Sequence, residues 1–176
     1  AAAGFPAAAP PDALERLAVQ RYVATAINKL TATANTYGTI LAKVLGGEGT
    51  APVASPPFPP LRIPTGSGIV DSYFKGNLND TSDAKPGIEA IIVDVKSLYG
   101  YGIYNSNFSV KDTIGNISVT AYNNTAILDS GFSSSRGVIG GINAEATHKG
   151  RAILNSTFDT NNGDIGLSSG IDAKAY

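Results

Sequence analysis

One histidine, no cysteine and a scatter of aspartates are what this chain offers for general acid–base work or metal binding. His148 sits in Thr147-His148-Lys149-Gly150, a run with the composition of an exposed turn. With a single imidazole and no thiolate, a transition-metal site has to gather carboxylates from distant segments. Serines are plentiful, but the one Gly-x-Ser-x-Gly match, Gly166-Leu167-Ser168-Ser169-Gly170, has no helical period after it to make a strand-to-helix elbow, so a Ser-His-Asp mechanism has no positioned nucleophile. Asp159-Thr160-Asn161-Asn162-Gly163-Asp164 is as oxygen-rich as a calcium loop. Its glycine falls one place early for an EF-hand, and position twelve is Gly170 rather than Glu, so an Asn-Gly turn is the simpler reading.

Asp71, Asp94 and Asp129 are carboxylates of the kind a glycoside hydrolase uses in pairs. Asp71 and Asp129 recur at one place in a repeated phrase, which structural periodicity explains better. The glycines form no phosphate-binding loop, because no Lys-Ser/Thr follows them. Tyr99-Gly100-Tyr101 and Tyr104 group aromatic faces that suit sugar rings, and equally suit turn and edge packing. Five Asn-x-Ser/Thr sequons, at Asn79, Asn107, Asn116, Asn123 and Asn155, are candidate N-glycosylation sites. The sequence thus predicts no enzyme, no cofactor and no metal.

The elements that carry these residues are repetitive. The phrase [Gly/Ala]-Ile-x-[Asp/Asn]-Ser-x-Phe occurs at Gly68, Gly102, Ala126 and Ala152, with starts 34, 24 and 26 residues apart. Repeats of this size mark chains whose units bury their apolar faces against one another. Read as a strand, each phrase alternates, with the small residue, Val/Tyr/Leu, Ser and Phe on one face and Ile and Asp/Asn on the other. A second alternating strand follows each phrase, at 87–90, 117–121, 141–146 and 170–175. Asn123-Asn124, Lys149-Gly150 and Asn161-Asn162-Gly163 supply turn chemistry at the joints.

The expected fold is therefore mainly β: a short repetitive β-solenoid or a β-sandwich of about eight strands over 66–176. Identity at matching positions favours the solenoid, where Ile, Ser and Phe stack on their own kind every ~4.8 Å. Four coils would rise only about 19 Å on that spacing. The final strand has no polar cap, so Ile171, Ala173, Ala175 and Tyr176 form a candidate assembly edge. In general plan the region 66–176 is similar to curli-type fibre subunits, which also repeat strand–turn–strand units. The Gln and Asn spacing of those repeats is absent here, so no functional residue is carried over.

Ahead of the repeats, the sequence predicts an extension over 1–45 and a connector over 46–65. AAAGFPAAAPP is low in complexity and reads as disordered or extended. Asp12, with Glu15 three places on, resembles a capping box that opens an amphipathic α-helix. Its apolar seam comprises Val23, Ile27, Leu30, Ala34, Tyr37, Leu41 and Val44, spaced alternately by four and three, and Gly46-Gly47 ends it. Six prolines in 46–65 make a stiff, extended linker.

Bulk composition narrows the role. A hydrophobic content of 43% supports a core, while charged residues are only 15% and the net charge is −1. No basic run offers a nucleic-acid footprint, and no apolar stretch reaches the ~20 residues of a membrane span. A charge-poor surface rich in Gly, Ser, Thr and Asn, with no initiator methionine, reads as a processed product, extracellular or on the cell surface. The expectation is a secreted structural subunit that self-assembles, through its helix and open β-strand edges, into a fibre, sheath or matrix as a homo-polymer. The alternative is an extracellular adhesin or carbohydrate-binding module with glycans as partners.

Overall fold

The fourth residue of each phrase governs the fold. Asp71, Asn105, Asp129 and Asn155 all take left-handed backbone, with φ between 46° and 49°, a region that Asn and Asp enter more readily than other side chains. One left-handed residue turns the chain through a corner, so the phrase is not a single strand. It is two short strands meeting at the Asp/Asn.

The computed structural model describes residues 25–34, 36–44, 66–76, 87–97, 100–167 and 169–176. Within them a three-strand pattern recurs five times. The first coil holds β1 (Ile27–Asn28), β2 (Thr31–Ala34) and β3 (Tyr37–Val44). The second holds β4 (Ile69–Val70), β5 (Tyr73–Gly76) and β6 (Ile88–Val95). The third holds β7 (Ile103–Tyr104), β8 (Asn107–Val110) and β9 (Ile114–Ala121). The fourth holds β10 (Ile127–Leu128), β11 (Gly131–Ser134) and β12 (Ile142–Ala146), and the fifth β13 (Ile153–Leu154), β14 (Thr157–Thr160) and β15 (Ile171–Ala175). Equivalent strands stack into three five-stranded sheets. We call them A (β1, β4, β7, β10, β13), B (β2, β5, β8, β11, β14) and C (β3, β6, β9, β12, β15). Every strand pairing is parallel, which gives a solenoid-like repeat and rules out the antiparallel sandwich.

Two expectations are corrected by this arrangement. Ile27–Asn28, Thr31–Ala34 and Tyr37–Val44 are strands of the first coil, not parts of an α-helix. The supposed seam is split between the inside and the outside: Ile27, Ala34 and Tyr37 are half-buried and Val44 is buried, while Leu30 and Leu41 are exposed. In β3 the inward residues are Ile40, Ala42 and Val44, a period of two. The apolar Leu41 on the outer face let a helical stripe be drawn through a strand. Val23 and Asp12 lie outside the described residues, as does the Pro-rich stretch 46–65. The second correction is within the phrase. Because of the corner, Ile69, Ser72 and Phe74 all point inward, whereas strict alternation puts Ile on the opposite face from Ser and Phe.

Like stacks on like along the core. Ile27, Ile69, Ile103, Ile127 and Ile153 are in register, and the middle three are fully buried. Phe74, Phe108, Phe132 and Phe158 stack at 4.9 Å between ring centroids, within 5° of parallel. The first coil has Ala32 at the Phe place. There Tyr37 packs edge-on against Phe74, at 6.0 Å, with its hydroxyl donating to the carbonyls of Ala32 and Lys75.

The serines take over where the corner interrupts the backbone ladder. Ser72, Ser106, Ser130 and Ser156 each donate from Oγ to the carbonyl two residues back, across the corner, at 2.7–2.9 Å. Each Oγ also accepts an N–H from the coil before: Leu30 to Ser72, Ser72 to Ser106, Ser106 to Ser130 and Ser130 to Ser156, at 3.1–3.2 Å. A short hydroxyl thus serves as both donor and acceptor, and no buried side-chain polar atom among the described residues is left without a partner.

Candidate assembly edge at the fifth coil

A strand inside the stack gives alternate residues to each neighbour, so a strand with one neighbour among the described residues, as β15 has, turns one set of N–H and C=O groups away from the stack. In β15 the even-numbered residues bond β12 and its flanks. Gly170 O accepts from Ile142, Tyr176 N donates to Ala146 O, and Tyr176 O accepts from Lys149. Alternation then leaves the N–H and C=O of Ile171, Ala173 and Ala175 facing out of the stack. These are three of the four residues expected at the edge. Tyr176 is the fourth; it is 70% exposed, but its backbone is already bonded inward.

The side chains tell the same story. Ile171 is in register with Ile142, yet the first is 57% exposed and the second 1%. Ile165 is exposed where its partner Ile139 is buried, and Phe158 and Ile153 are half-buried where Phe132 and Ile127 are buried. Among the described residues no further serine hydroxyl follows to accept the Ser156 N–H, as Ser156 does for Ser130. The two ends of the stack differ. On the first coil Ile40, Ala42 and Val44 are buried.

The outer face of β15 carries a charge pair that spacing alone did not single out. Lys174 Nζ donates to Asp172 Oδ2 at 2.6 Å. That hydrogen bond, with the Coulomb attraction beside it, raises the Lys174 pKa above the usual lysine value. In register above them stand Asn143 and Glu145.

The remaining candidate residues are dispersed. Asp71 and Asp129 occupy one corner ladder, with Asn105 between them donating from Nδ2 to Asp71 at 2.7 Å. Asp94 is on the outer face of sheet C, in register with Lys43 and Thr120 and 3.9 Å from Lys96. The structure therefore does not bring the three aspartates together. His148 is exposed in the turn after β12 and its ring lies 4.5 Å from Tyr122. Asp159 is in β14, paired with Ser133, and 161–163 form a bend. Tyr101 and Tyr104 stack at 4.9 Å, both half-buried; Tyr99 is outside the described residues.

Of the sequons, Asn116 and Asn155 are exposed, and Asn107 and Asn123 are half-buried. Asn116 Oδ1 accepts from Gly141 N, and Asn155 holds a left-handed corner. Asn79 is outside the described residues. No helix among the described residues is long and apolar enough to cross a membrane. No protein-family model, curated protein or solved structure matches the chain, so the functional reading rests on this geometry.

Proposed function

We propose that this chain is an extracellular structural subunit, a short β-solenoid that assembles with copies of itself into a larger body such as a fibre, sheath or matrix. The observation that carries the reading is the open fifth coil, whose inward column is exposed at Ile171 and buried one rung above at Ile142. Such an edge is a template for further β structure, in the manner of strand addition. The charge-poor, hydroxyl- and amide-rich composition supports an extracellular setting. The stacked ladders add rigidity suited to a scaffold.

The test is mass against concentration, with imaging of the purified protein. The proposal expects species larger than one chain, growing with concentration, and expects Ala173→Pro to abolish them. The Ala173 N–H faces away from β12, so proline there removes a donor from the open edge without breaking the internal ladder. A chain that stays single at all concentrations overturns the reading. The alternative, a carbohydrate-binding module, is favoured only by the stacked pair Tyr101–Tyr104 on the outside of sheet A. It expects glycan binding that Tyr104→Ala removes and Ala173→Pro leaves alone.

A further inference from the structure

An open end can take another copy head to tail, adding that copy's first coil below the fifth, or tail to tail, adding its fifth coil. The residues of the two ends discriminate between these. Continuing the register of sheet C head to tail would place Ile171 on Ile40, Asp172 on Leu41, Ala173 on Ala42 and Lys174 on Lys43. That sets two lysines directly opposite, and it gains nothing at Ile40, Ala42 and Val44, which are already buried. It also offers Leu30 where the Ser156 N–H needs a hydroxyl, and Ala32 where the Phe158 ring needs a ring. The first coil keeps the Ile of the phrase at Ile27 but departs from it at the Ser and Phe places, Leu30 and Ala32.

Tail to tail, two β15 strands meet antiparallel about a two-fold axis. Residues directly opposite in such a pair share a face, so only certain registers keep Ile171, Ala173 and Ala175 inward. Centring the axis on Asp172 or on Lys174 opposes like charges. Centring it on Ala173 pairs Ala173 with its own counterpart and Ile171 with Ala175 of the second copy. Those are the residues whose N–H and C=O groups are free to exchange. Asp172 then stands opposite Lys174 of the second copy, and Lys174 opposite Asp172. These are non-hydrogen-bonded positions, where side chains approach most closely. With the Lys174–Asp172 bond already present in each strand, the four charges alternate in sign around a square.

We infer that the fifth coil is the joint of a two-fold, tail-to-tail dimer, with β15 paired antiparallel through Ala173 and its charges crossed. This rests on the assembly reading above and sharpens it. An isologous contact closes on itself, so this end makes a dimeric strut, and any longer body is built from struts joined elsewhere.

Lys174→Glu separates the geometries by sign. In the tail-to-tail joint it puts Glu opposite Asp172 twice over and weakens association by about tenfold. In a head-to-tail joint it puts Glu opposite Lys43 and strengthens association. The side chain is exposed, so folding, checked by circular dichroism, is expected to be unchanged. The swap Asp172→Lys with Lys174→Asp restores the crossed pairs and the affinity. Sedimentation of the full chain and both variants reads all of this. A wild-type dimer that Lys174→Glu weakens and the swap rescues supports the inference. Unlimited growth strengthened by Lys174→Glu overturns it while leaving self-assembly standing, as does association indifferent to both variants. A monomer throughout overturns the assembly reading itself.

Discussion

The buried serines do the work that the backbone cannot do at a corner. At Ser130 the hydroxyl accepts the Ser106 N–H at 3.2 Å and donates to Leu128 O at 2.8 Å. Leu128 O also accepts from Asn105 N, but the Ser106 N–H has no second acceptor among the bonds described. Ser130→Ala therefore strands one buried donor, and a loss of about 1–3 kcal/mol is expected, read as a lower urea midpoint with unchanged slope. The repeated Ser was visible in the sequence and its burial was not, because a strand drawn through the whole phrase ignores the left-handed residue before it. The recurrence of Asp and Asn at that place marks a structural role for Asp71 and Asp129, but the sequence does not show which. The backbone explains them: short polar side chains enter positive φ more readily than most, although Lys29 holds the equivalent corner of the first coil at φ 53°.

At the scale of elements, the opening residue of the phrase is matched to the strand across the coil. In the second and third coils the phrase opens with Gly68 and Gly102, and the facing residues of sheet C are Val93 and Val119. The fourth and fifth coils have Ala126 and Ala152, with Ala144 and Ala173 at the places in register with those valines. A Cβ on Gly102 would overlap Val119 Cγ1 and the Ala126 carbonyl oxygen. Gly102→Ala should thus cost about 1–3 kcal/mol by overpacking. Adding Val119→Ala should recover part of that loss, giving a double-mutant coupling of about 0.5 kcal/mol or more by thermal or urea unfolding. Parallel like-on-like stacking was legible from the constancy of Ile, Ser and Phe. The first coil was not, since Ala26-Ile27-Asn28-Lys29-Leu30-Thr31-Ala32 keeps only its first two residues from the phrase. Two clues to it were present, the Ala-Ile pair and the Ile40-x-Ala42-x-Val44 alternation, and the apolar Leu41 between them favoured a helical reading.

At the scale of the molecule, the stack has direction. Its first coil substitutes Lys29, Leu30, Ala32 and Tyr37 at places that elsewhere carry Asp/Asn, Ser, Phe and Ile, while its fifth keeps Asn155, Ser156, Phe158 and Ile165. The edge residues Ile171 and Ala173 were legible as a terminal alternating strand. The crossed charges of Asp172 and Lys174 gain meaning only once the register with Lys43 is known. On the assembly proposed above, the fifth coil is an open joint filled by another chain. Residue-resolved amide exchange across a concentration series tests it most directly. We predict that the amides of Ile171, Ala173 and Ala175 exchange fast in dilute solution and become protected as concentration rises, while that of Tyr176, bonded to Ala146, is protected throughout. Exchange at those three amides that is the same at every concentration would overturn the proposed joint.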